Sequence, residues 1–155
     1  MVLLTGVSVA LNRELLDDAK EKYFYARFSD VKNTLHDILS PLDDKLVGAA
    51  DAVTILEARL LLAETNRAVA KYEDALSLYQ RCQNDLEDAK FFEGKCSHGY
   101  KNTLLLAVVT GMADLYRNTC LYEDCRNALY KASKLSEGTT SLLLPTTADE
   151  GSHEA

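Results

Sequence analysis

Apolar residues recur every three to four positions from about Asn12 to about Glu137, and no segment sustains the alternation of a half-buried strand. The pattern predicts an all-α chain of about six helices. A first helix is expected from Asn12 to Arg27. A second, capped by Ser29, should end at Ser40, because Pro41 disfavours helical backbone in the residue before it. The connector SPLDDKLVG leads to a long third helix from Ala49 to Ala70 and a fourth from Tyr72 to Lys90, with Gly94 placed to stop it. After GKCSHG, a fifth helix is expected from Tyr100 to Asn118 and a sixth from Tyr122 to Glu137, closed by Gly138 in a left-handed cap. TTSLLLPTTADEGSHEA then reads as a disordered tail. The expectation is one helical domain over 1–138, with units at 12–40, 49–93 and 98–138, and a tail over 139–155.

The units repeat. FSDVKNTLHDI, YEDALSLYQRC and YEDCRNALYKA align without gaps. Each opens on an aromatic, Phe28, Tyr72 or Tyr122, followed by Val31, Ala75 or Cys125, then Leu35, Tyr79 or Leu129, then Ile38, Cys82 or Ala132. Those offsets lay one apolar stripe along the second helix of each pair. Twelve residues before the first stripe position stand Ala19, Ala63 and Ala113, where a small side chain lets two helix backbones approach closely.

These residues resemble the tetratricopeptide repeat family. In GMADLYRNTCLYEDCRNALYKA the six signature places hold Ala113, Tyr116, Tyr122, Cys125, Leu129 and Ala132. The second unit departs where Asn66 replaces an aromatic, and the first where Lys22 does so and where Val31 is larger than usual. The small residues are 44 positions apart from Ala19 to Ala63 and 50 from Ala63 to Ala113. The family's basic unit is about 34 residues, so the helices or connectors here must be longer. The resemblance implies three antiparallel helix-turn-helix hairpins stacked in a short right-handed superhelical array, with the first helices lining a concave groove. The competing reading is an unrelated six-helix bundle that self-associates.

Composition narrows the function. With 47% hydrophobic residues and only 2 prolines and 7 glycines among 155, the chain should fold as one domain without staples. A formal charge of -7 argues against nucleic acid and anionic lipid, which need clustered Lys and Arg, and favours a basic or mixed-charge partner. MVLLTGVSVAL lacks a basic leader and runs into the charged NRELLDDAKEK, so it is not read as a signal peptide. No apolar run reaches the roughly 18 residues a membrane span needs. The cytoplasm or nucleus is expected. Cys82, Cys96, Cys120 and Cys125 should be reduced.

Site chemistry is sparse. CSH and CLYEDC lack the C-x₂-C spacing of a zinc site, His36, His98 and His153 are scattered, and no phosphate-binding or zinc-protease motif occurs. No catalytic residue, metal or cofactor is expected. What the resemblance implies instead is a groove that takes a protein or peptide, lined by Glu57, Leu60, Leu61, Glu64, Arg67 and Ala68 from the third helix and by Ala107, Thr110, Gly111, Asp114, Arg117 and Asn118 from the fifth. AETNR and ADLYR place an acid and an arginine at equivalent positions. Either these four charges form a ladder that orients a mixed-charge ligand, or Glu64 with Arg67, and Asp114 with Arg117, are simple i to i+3 pairs. The family's clamp for C-terminal carboxylates is absent, since its places hold Leu16, Lys20, Leu61, Ala107 and Gly111. The role is therefore an adaptor or assembly subunit, or a self-associating bundle.

Overall fold

A computed structural model describes residues 2–39, 49–88, 90, 94 and 96–143, and among them are six helices and no strands. They are α1 (Val2–Phe24), α2 (Phe28–Leu39), α3 (Ala49–Ala68), α4 (Tyr72–Glu87), α5 (His98–Asn118) and α6 (Tyr122–Leu143). The connector at 40–48 and residues 144–155 lie outside the described residues.

Several helix ends differ from expectation for local reasons. The apolar, proline-free stretch before Asn12 is already helical, so α1 begins at Val2. Ser29 sits inside the first turn of α2, and the carbonyl of Arg27 accepts the first helical bond, from the Val31 N–H at 3.0 Å. α4 ends at Glu87, well before Gly94, because Asp88 turns to extended backbone and its carboxylate accepts the Lys90 N–H at 3.0 Å, a local alternative to the helix. Gly94 does take a left-handed conformation, φ +72°, but in the connector. Ser97 caps α5 by accepting the Tyr100 N–H at 3.2 Å, which draws the helix start back to His98. Gly138 does not close α6, which continues through it to Leu143, a placement that costs about 1 kcal/mol against alanine.

The turns within the three pairs are alike. Each spans three residues, 25–27, 69–71 and 119–121, and its middle residue, Ala26, Ala70 or Cys120, has φ between 56° and 62°. In each, the third residue's N–H reaches back five positions: Arg27 to Lys22, Lys71 to Asn66 and Leu121 to Tyr116, at 2.8 to 2.9 Å. These bonds satisfy carbonyls that a helix end leaves open, and the left-handed residue between them is ordinarily glycine. Alanine and cysteine there are strained by roughly 1 to 2 kcal/mol. Replacing Ala26, Ala70 or Cys120 with glycine should therefore stabilise the fold, by about 0.5 to 1 kcal/mol each once glycine's greater chain entropy is subtracted. Urea unfolding of the three single variants checks this, and a loss of stability in all three would contradict the turn geometry.

Packing follows the chain. α1 lies on α2, α3 on α4 and α5 on α6, while α2 meets α3 and α4 meets α5. The first helices of the pairs also approach one another, α1 with α3 and α3 with α5, within 8 Å between Cα atoms. Among the described residues the second helices make no such approach. α3 thus has neighbours on four sides and must be apolar on more than one face, whereas α4 and α6 carry a single stripe.

Ala19, Ala63 and Ala113 are all buried, as their role in close helix contact requires. The stripe residues divide by position in the chain. Leu35 and Tyr79 are 0% exposed, under α3 and α5 respectively, whereas the equivalent Leu129 is 55% exposed because no described helix covers it. Two apolar clusters result. One joins Leu16, Ala19, Val31, Leu35, Ile38 and Ala58 with Leu61 at its edge. The other centres on Tyr79, Leu56, Leu86, Val108 and Leu115. Tyr79 sits hard against Gly111, where an added Cβ would lie 2.6 Å from its ring. The four thiols are free. Cys82 is wholly buried in the stripe of α4, and burial pushes its thiol up to about 12, so it stays protonated and packs as a small hydrophobe. Cys120 lies in a turn and not in a helix.

Candidate interaction face

The residues expected to line a groove fall into two groups. Glu57 is buried and accepts a hydrogen bond from Arg13 Nη1 at 2.6 Å, with Lys20 Nζ at 4.0 Å, so it ties α3 to α1. Leu60 packs against the larger apolar cluster and Leu61 against the smaller. Glu64 and Arg67 are half-buried, and Ala68 is exposed at the end of α3. On α5, Gly111 is buried under Tyr79, Asp114 is half-buried, and Ala107, Thr110, Arg117 and Asn118 face solvent. The Thr110 hydroxyl is turned inward, donating to the Leu106 carbonyl at 2.7 Å.

The four charges singled out from the sequence form one chain. Arg67 pairs with Glu64 on its own helix and, through Nη1, with Asp114 on α5, and Asp114 in turn pairs with Arg117. Each acid of AETNR and ADLYR thus meets the arginine three residues on, and Arg67 in addition crosses to the next helix. Tyr79 joins the chain from α4, donating its hydroxyl to Glu64 Oε1 at 2.6 Å and accepting from Arg67 Nε at 3.2 Å.

Its position in the apolar stripe marked Tyr79 only as core, and nothing in the period of the sequence reports what a phenol at the end of a buried ring will reach. Burial opposes the charge on Arg67, but the hydrogen bond and charge of Glu64 outweigh it and hold the guanidinium above the ordinary arginine value. Burial, followed by the same carboxylate, raises the Tyr79 phenol far above the ordinary tyrosine value. The chain of charges is locally neutral and fixed at every member but its last, since Arg117 is the most exposed.

Two more ion pairs between helices, among the described residues, were not anticipated. Arg59 meets Asp85 at 3.2 Å between α3 and α4, and Lys131 of α6 reaches Glu87 of α4. Both couple residues from separate helices, which no short motif registers.

Beyond Arg117 the surface dips into a concavity of about 220 Å³, lined by Thr110, Ala113, Asp114, Arg117, Cys125 and Leu129. It is the α5/α6 counterpart of the place where α5 itself lies on α3 and α4. Among the described residues no three His, Cys, Asp or Glu side chains are grouped to hold a metal ion, and no described helix is long and apolar enough to cross a membrane. No family model, curated protein or solved structure matches the chain.

Proposed function

We propose that the protein is a non-catalytic interaction module, an adaptor or assembly subunit in the cytoplasm or nucleus, whose three helix pairs stack as tetratricopeptide-like hairpins. The observation that carries this reading is the sameness of the three turns: left-handed residues at Ala26, Ala70 and Cys120 recur at the spacing of the repeat. The buried Ala19, Ala63 and Ala113 and the succession α1, α3, α5 support it as well. In this reading those three helices share the concave side of a short right-handed superhelical array and present it to a peptide or a neighbouring subunit. The formal charge of -7 suits a basic or mixed-charge ligand.

Because Glu57, Glu64 and Arg67 are engaged inside the fold, the contacts left for a ligand on that side come from exposed residues such as Ala68, Ala107 and Asn118. Ala107→Arg puts a bulky cation on the face without touching the ion-pair chain. It should remove partners captured from a native lysate while circular dichroism stays that of the parent. An unchanged captured set would sink the assignment of this face.

A further inference from the structure

The second and third pairs meet in a way that their own far end leaves half-finished. At the α3/α4 surface, Arg67 holds Glu64 three residues before it and also grips Asp114 of the incoming helix α5. Moving 50 residues along, Arg117 holds Asp114 three residues before it in the same way, but its side chain is 68% exposed and, among the described residues, no acid of a further helix is paired with it. The apolar half tells the same story. Leu35 and Tyr79 are sealed by the next first helix, and Leu129, their equivalent, stands open beside Arg117 in the 220 Å³ concavity.

The two closed junctions specify what fits. Tyr79 meets the bare Gly111, whereas the smaller Leu35 is covered by a cluster containing Leu61, the residue that aligns with Gly111. Leu129 matches Leu35 in size, so it calls for a leucine-sized side chain. The acid opposite Arg67 comes three residues after Gly111, and Glu64 likewise comes three after Leu61.

We infer that the α5/α6 end face docks an α-helix of another protein that carries a leucine-sized residue followed three positions later by a carboxylate. The inference shares with the proposed function the equivalence of the three pairs but not the face on α1, α3 and α5. A second copy of the chain is a poor occupant, because the matching places on its α1 hold Asp17 and Lys20, setting a charge against Leu129 and a cation against Arg117.

The probe is a helix-stapled, fluorescent peptide with the sequence of residues 53–68, VTILEARLLLAETNRA, which holds Leu61 and Glu64 at the required spacing. Titrated with the full chain, it should show saturable anisotropy that weakens by about tenfold or more in Arg117→Glu and in Leu129→Asp, both exposed positions where folding should persist. The peptide with Glu64→Lys should bind Arg117→Glu better than it binds the parent. Absence of saturation, equal binding to the parent and both variants, or failure of the charge swap overturns the proposal. So does a concentration-dependent mass of the free chain that Arg117→Glu abolishes, which makes the occupant a second copy. Binding seen only after residues 144–155 are deleted makes it the chain's own end, and also overturns the proposal. Ala107→Arg should leave the peptide titration unchanged, so loss of the concave-side reading and loss of this one are separable.

Discussion

Gly111→Ala should lower stability by about 2 kcal/mol, although alanine is the better helix former by nearly 1 kcal/mol at an ordinary mid-helix position. The new methyl would lie 2.6 Å from the Tyr79 ring, and that ring cannot swing aside cheaply. It is wholly buried, and its hydroxyl is tethered to Glu64 at 2.6 Å and Arg67 at 3.2 Å. Either the ring abandons those bonds or α5 backs away from α4 and opens the apolar cluster between them. For a chain of this length the thermal midpoint should fall by about 4 to 8 °C.

The test of the cause is a double substitution. Gly111→Leu alone should cost more than Gly111→Ala, and Tyr79→Leu alone should leave a void and take one hydrogen bond each from Glu64 and Arg67. Together they reproduce the leucines of the first junction, Leu35 and Leu61, so the pair should be more stable than the sum of the single changes by about 1 kcal/mol or more. Strict additivity in urea unfolding would mean that the two positions do not meet.

Arg67→Met should cost about 2 to 3 kcal/mol near neutral pH. Methionine keeps the aliphatic length and removes the charge that pairs with both Glu64 and Asp114 across the α3/α5 joint. The figure sits at the low end for a broken ion pair because these side chains are 23% to 28% exposed, so water recovers part of the loss. Adding Glu64→Gln and Asp114→Asn to Arg67→Met should restore roughly half of it, since two amides face each other without repulsion. If the single change proves neutral, the arginine is not what holds the joint. Restoration by the amides is the result that assigns the loss to charge and not to packing.

Helix number and kind were legible from periodicity alone, and the aromatics opening the three gapless segments, Phe28, Tyr72 and Tyr122, are the first residues of the second helices, although Ser29 reads as the cap of the first of these. Boundaries were less so. The turn residues Ala26, Ala70 and Cys120 are not glycine, so nothing in their identity announces a left-handed stop, and the C-terminal ends of the first and third helices were drawn two to three residues too far for that reason. Gly138, by contrast, has the identity of a stop and sits within a helix. For the candidate face, AETNR and ADLYR gave the four charges and their spacing, but not that Arg67 would turn to Asp114 and Tyr79. Whether a polar group looks outward or across a joint depends on a neighbour 47 residues away in the chain, which local pattern does not contain.

The unequal filling of the two junctions bears on how the chain reaches its native arrangement. If α5 settled first on α1 and α2, bare Gly111 would face Leu35 and leave a hole. The leucine that suits that place, Leu61, is carried by α3, and at Tyr79 a side chain of its size would collide with the ring. Side-chain volume therefore favours the native seat of α5 over the other, and the order of the pairs is written in shape as well as in the length of the loops.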